Sequence, residues 1–169
     1  MKSKMIYKHY LSQLPHYFLL TIIFSLAQIN SVAQIPDSTL INSVDVFMDD
    51  WHKLASNADV AYFDKIANNG IYIGTDAIEL WNRDEFVTWS EEYFENGKAW
   101  SFTATERNIY FSDDKRYAWF DELLNTQMGV CRASGVLKRK GDTWQIEHYH
   151  LSVAIPNEKM EEVIMLLGH

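Results

Sequence analysis

Cysteine is nearly absent: Cys131 stands alone among 169 residues. No intrachain disulfide can form, even in an oxidising compartment, so stability must come from a packed core. Positive charge is also short. Fifteen Lys and Arg against 23 Asp and Glu give a formal charge of −8, which argues against nucleic acid or anionic lipid as a partner. Internal repeats and low-complexity segments are missing, and no Ser sits in a strained nucleophile turn, so a Ser-based triad finds no support. The apolar run at 17–27 is too short for a comfortable membrane span, which takes about 20 residues.

That run has a different meaning. Lys2, Lys4 and Lys8 precede it without an acidic residue, and Ser31-Val32-Ala33 follows with the small residues a signal peptidase reads. Residues 1–33 therefore read as a cleaved secretory signal and 34–169 as one domain, periplasmic or secreted, with no membrane attachment after cleavage. An uncleaved N-terminal anchor is the alternative. No Cys follows the run, so lipid attachment at that point is excluded.

The remainder opens helical. Leu40, Val44, Phe47, Met48, Trp51 and Leu54 recur at spacings of three and four, which predicts one apolar helical face ending near residue 56. His52, beside Trp51, reads as a surface residue. Asp59 caps a second helix at 60–67, stopped by Asn68-Asn69-Gly70. A short strand at 71–74 and a turn lead to a third helix at 83–94, with Phe86, Val87, Trp89, Tyr93 and Phe94 as buried candidates. Four long strands follow at 100–111, 116–124, 129–140 and 143–155, then a terminal helix at 158–167. Gly141-Asp142 is a two-residue hairpin loop by composition. Helices first and long antiparallel strands after is an α+β order. Gly129 and Gly135 inside long hairpins predict a cone-shaped, curled antiparallel sheet packed against the N-terminal helices.

The last strand sets the expected site. Its alternation puts Trp144, Ile146, His148, His150 and Ser152 on one face, with Gln145, Glu147, Tyr149 and Leu151 on the other. A hairpin tip at Gly141-Asp142 pairs Leu137 with Ile146, Gly135 with His148 and Ala133 with His150. Small residues then oppose two imidazoles and leave open space for a pocket; two histidines satisfied beside a core is the competing reading. The turn at 125–128 leaves open whether Asp121 or Glu122 faces inward. An inward carboxylate beside an imidazole is a candidate acid–base pair, with His148, His150 and Asp121 as the catalytic candidates. Tyr62, Trp81, Trp119, Cys131 and Ile146 are the candidates to line a ligand pocket, against plain core packing. A metal needs a third ligand beyond the two histidines, so none is expected, and no cofactor is implied.

Several local stretches resemble a known superfamily. They are Ile73-Gly74-Thr75-Asp76 with Glu79 and Trp81, Ala118-Trp119-Phe120-Asp121-Glu122, and Gly135-Val136-Leu137 before Trp144-Gln145-Ile146. His148-Tyr149-His150-Leu151-Ser152 and Ile155-Pro156-Asn157 complete the set. Over residues 38–157 the chain resembles the nuclear transport factor 2-like (ketosteroid isomerase-like) superfamily, in its SnoaL-like branch. The resemblance implies a fold with a pocket and a homodimer through the outer sheet face, with Tyr149 and Leu151 on that face. The Trp-x-x-x-His-x-His-x-Ser ending is similar to that of the kinase association domain, whose matching face lines a pocket. The isomerases' acidic base and oxyanion donors find no match residue by residue, so that activity is not carried over. Two functions follow as expectations. One is an exported domain binding a small, largely apolar molecule. The other is an isomerase, cyclase or hydrolase using a pocket histidine with a carboxylate.

Overall fold

The structure, a computed structural model, describes residues 37–168. The expected leader and its cleavage point lie outside the described residues. Helix α1 spans Asp37–Ser56 and buries Leu40, Val44, Phe47, Met48 and Trp51 as its spacing predicts, with Ala55 buried in place of the predicted Leu54, which is half-buried. Histidine 52 lies on the same buried stripe, one step round from Trp51. Asp59 Oδ1 accepts from Ala61 N at 2.9 Å and starts α2, Ala61–Asp64.

Helix α2 is shorter than predicted because β-pairing takes its end. Ile66 and Ala67 are buried at the start of β1, Ile66–Ile73, where Ile66 pairs with Ile146. Gly70 lies inside this strand rather than ending a helix. A Cβ there would come within 2.8 Å of the Ile146 carbonyl, so only glycine lets the two backbones approach. Strand β2, Leu80–Asn82, runs into α3, Arg83–Glu95, through a capping box between Asn82 and Glu85. Phe86 and Phe94 are buried on α3, whereas Val87, Trp89 and Tyr93 keep over a third of their surface exposed.

Strands β3 (Phe102–Phe111), β4 (Tyr117–Thr126), β5 (Gly129–Lys140) and β6 (Thr143–Val153) follow, then a 3₁₀ turn at Asn157–Lys159 and α4, Met160–Leu166. The six strands form one sheet in the order β2-β1-β6-β5-β4-β3. All neighbours are antiparallel except β1 and β6, which run parallel.

The α+β order holds, but the expected cone does not form. The sheet is mixed and open, neither closed nor strongly curled, with β2 and β3 as its edges. The reason lies in β6, whose far side accepts β1 and extends the sheet sideways. The two glycines taken as signs of curl have other duties. Gly129 sits at a positive φ of 92° in the β4–β5 turn, and Gly135 makes room beside β6.

Candidate functional site

A β-bulge decides which residues of β6 face the helices. From the hairpin tip the pairs run as predicted through Leu137 and Ile146. Glu147 then has no partner, and the next pairs are Val136 with His148, Gly135 with Tyr149 and Ser134 with His150. One extra residue exchanges the two faces for the rest of the strand. Tyr149 and Leu151 therefore turn inward and are buried, while His148 is half-buried and His150 exposed on the outer face. Inward-facing histidines, and an outer face carrying Tyr149 and Leu151, are both overturned. A Cβ on Gly135 would meet the His148 carbonyl at 2.5 Å and the Phe120 ring at 2.8 Å, which fixes glycine at the bulge.

The β4–β5 turn resolves the carboxylate alternative. Thr126 pairs with Gly129, so Asp121 pairs with Ser134 and Glu122 with Ala133. Asp121 faces outward, 3.2 Å from both Arg132 Nη1 and Asn108 Nδ2. Glu122 faces inward and is fully buried. Asp121, His148 and His150 thus share the outer face, where cross-strand pairing sets Ser134 between Asp121 and His150.

Glu122 meets a different histidine. Its Oε1 is 2.8 Å from His52 Nε2, and its Oε2 accepts from Arg107 Nε at 2.9 Å. Arg107 also donates to Asp45 Oδ1 at 3.1 Å and lies 3.0 Å from Asp49. Burial alone would raise the Glu122 carboxyl. The hydrogen bond and charge of His52, then the charge of Arg107, outweigh it and hold the group below its ordinary value. For Arg107, burial opposes the charged form, but Glu122, Asp45 and Asp49 together raise its value. His52 is 4% exposed and lines a shallow groove between α1 and β3 with Lys53, Ser56, Ser101 and Thr103.

The second feature is a pocket at the end of the sheet nearest α3. Its volume is about 110 Å³. Trp81 from β2, Phe86 and Trp89 from α3, and Trp100 make a continuous aromatic wall, with Trp81 and Trp89 centroids 4.5 Å apart. Phe86 and Trp89 are a turn apart on α3, so their rings project side by side. Tyr72 and Leu151 close the inner end, and Gln127 and Met128 from the β4–β5 turn face the wall. Phe102 lines both this pocket and the α1–β3 groove, and its ring stands edge-on to His52 at 5.8 Å.

In and behind the wall lies a set of buried polar atoms. Tyr62 Oη, Trp100 Nε1, Tyr149 Oη and His52 Nδ1 have no hydrogen-bond partner among the described residues. Burial, then the neighbouring tyrosines, pushes the Tyr62 hydroxyl well up; burial, then the Glu122 charge, does the same for Tyr149. These phenols stay protonated and keep both a donor hydrogen and an accepting oxygen. No group of three or more His, Cys, Asp or Glu among the described residues is arranged to hold a metal ion.

Of the predicted lining residues, Trp81 lines the pocket and Tyr62 is buried behind it, its ring 5.7 Å from Trp100. Cys131 and Ile146 are fully buried on the inner face without reaching the pocket. Trp119 is on the outer face, 46% exposed and stacked on Tyr110. Sequence reading missed His52, Arg107, Phe86 and Glu79 as site residues, and it placed Trp89 and Trp100 in the core ahead of the pocket. His52 carried a usable signal, since it follows Met48 by four and Val44 by eight on the apolar stripe.

The described residues form an α+β domain with helices packed against a mixed sheet and a small aromatic-lined cavity at its end. The chain belongs to the SnoaL-like domain family, which matches residues 44–156. No curated protein matches the sequence. Solved structures share the fold at low identity. An NTF2-like protein of unknown function from Pseudomonas putida KT2440 has a TM-score of 0.60 at 13% identity, covering 72% of this chain and 92% of its own. A protein with a cystatin-like fold from Caulobacter vibrioides has a TM-score of 0.57 at 12% identity, covering 75% and 97%. A putative scytalone dehydratase from Novosphingobium aromaticivorans has a TM-score of 0.58 at 8% identity, covering 70% and 87%. At these identities the likeness concerns the fold alone. Among the described residues, no helix is long and apolar enough to cross a membrane.

Proposed function

We propose that this protein is an exported binding domain that takes a small, largely apolar molecule in the pocket between α3 and the β4–β5 turn. The aromatic wall of Trp81, Phe86, Trp89 and Trp100 is the observation that carries the reading. Large rings supply most of the apolar contact area such sites use, and few polar groups interrupt them. At about 110 Å³ the space is well below the roughly 300–1,000 Å³ of a drug-sized site. The ligand is therefore a compact molecule or the head of a longer one.

Three tryptophans in the wall give the test its signal. Titration with small cyclic and branched alcohols should change tryptophan emission saturably in the full chain. Leu151→Trp, which fills the inner end, should abolish that change. A flat titration in both proteins would sink the reading. Export is supported by the signal-like leader, and N-terminal sequencing of secreted material should begin near Gln34.

The enzymatic alternative now rests on His52 rather than on His148 or His150. His52 has its carboxylate at 2.8 Å and Nδ1 without a partner, and it backs the α1–β3 groove. Turnover of a carbonyl or epoxide substrate that His52→Gln removes, with binding retained, would favour that reading.

The outer sheet face supports a homodimer. Tyr110 and Trp119 remain 48% and 46% exposed there, in line with Val136 and His148 across the strands. Sedimentation should give a dimer for the wild-type chain and a monomer for Trp119→Glu.

A further inference from the structure

The pocket carries one formal charge. Glu79 is the sole ionisable acid or base among its lining residues apart from the Tyr72 phenol, and no lysine or arginine lines it. Its Oε2 accepts from Thr75 N at 2.8 Å and Asp76 N at 3.1 Å. Those bonds hold the side chain against the loop, and Gly74 leaves it room, since a Cβ there would strike that same oxygen. Oε1 makes no hydrogen bond among the described residues. The carboxylate is thus fixed at the pocket through Oε2, while Oε1 has no protein partner among the described residues.

Among the residues that line the same space the aromatic rings share an orientation. Neighbouring planes are tilted by 30° between Trp81 and Phe86, 16° between Phe86 and Trp89, and 34° between Trp89 and Trp100. Ring faces carry the negative end of the aromatic quadrupole, and tryptophan carries most of it. Three tryptophans and a carboxylate around one small space give a negative potential from two independent sources. The chain's net charge of −8 adds to it at longer range.

We propose that the pocket selects an organic cation with an apolar skin, of the trimethylammonium type. This rests on the pocket reading above and narrows it. A bare metal ion would forgo the rings, and a neutral hydrocarbon would leave Glu79 uncompensated. An alkylated ammonium uses both. Such a head is also compact enough for a space of about 110 Å³.

Choline and its neutral carbon isostere, in which a tert-butyl group replaces the trimethylammonium, separate the two claims. Each is titrated into the full chain at low and at physiological salt, with tryptophan emission and calorimetry as readouts. Choline should bind about tenfold or more tighter than the isostere. Glu79→Gln keeps the carbonyl that accepts from Thr75 N and Asp76 N, and it should bring the two affinities together. Trp89→Leu, at a partly exposed position that tolerates change, should weaken choline more than the isostere. If the isostere binds as tightly as choline, the cation preference is overturned and the apolar pocket stands. If neither binds, both readings are overturned. Unchanged choline affinity in folded Glu79→Gln also overturns the assignment.

Discussion

His52 Nε2 and Glu122 Oε1 meet at 2.8 Å with both side chains shut away from solvent. The pair joins the C-terminal part of α1 to the inner face of β4, and Arg107 completes it from β3. A helix and a hairpin far apart in sequence are thereby tied at one point. An inward glutamate in that position is tolerated only because two partners compensate its burial.

Replacing Glu122 alone should therefore be severe. Glu122→Leu leaves the Arg107 guanidinium, 6% exposed, without its buried partner. We expect a loss of about 3–5 kcal/mol in urea unfolding. The double variant Arg107→Met with Glu122→Leu should recover much of that loss, because no buried charge is stranded. A double variant as unstable as the sum of the singles would show that the ion cluster is not the cause.

Acid should act through the same residue. The Glu122 carboxyl is held below its ordinary value of 4.5 in the folded chain. The unfolded chain then binds the proton more readily, so the stabilisation is full above about pH 4.5 and drains away as pH falls through the depressed value. Melting temperature against pH should drop below that point in wild type. Glu122→Gln should be less stable at neutral pH and lose less on acidification.

The two sets of histidines should separate cleanly. His150→Ala, at an exposed outer position, should change stability by less than about 0.5 kcal/mol and leave pocket titrations unaltered. His52→Ala removes a partner from a buried carboxylate and should cost about 3 kcal/mol. Comparable effects from the two substitutions would contradict the bulge register.

Gly135 gives a test of the bulge itself. Its Cβ would press on the His148 carbonyl, which is backbone and cannot swing aside. Gly135→Ala should cost about 1–3 kcal/mol by overcrowding. Gly97, with open space around it, should be limited only by its positive φ of 62°. An alanine as harmless at 135 as at an ordinary strand position would argue against the packing described.

Much of the architecture was legible because it is written in periods. The α1 stripe, the Asn82 helix start and the Gly141-Asp142 hairpin all follow from local pattern and turn chemistry. So did the outward option for Asp121, since its neighbour Arg132 offered an ion pair. The site was less legible. Face assignment by alternation works only while the count is unbroken, and Glu147 breaks it with no compositional mark. Trp89 looked like core for the same reason that Phe86 did, and only the position of α3 at the sheet end leaves one of them half open. The sheet's openness depended on β1 joining β6, a parallel contact between residues about 75 apart that no local signal encodes.

That contact also fixes the order in which the molecule can assemble. Strand β6 lies between β1 and β5, so one of the central strands is the last to be synthesised. Until Thr143–Val153 is available, β1 and β2 have no sheet to join, and Trp51 on the hydrophobic side of α1 lacks Tyr149 against it. The sheet of this domain must wait for its last strand in chain order, and pairings this distant form slowly.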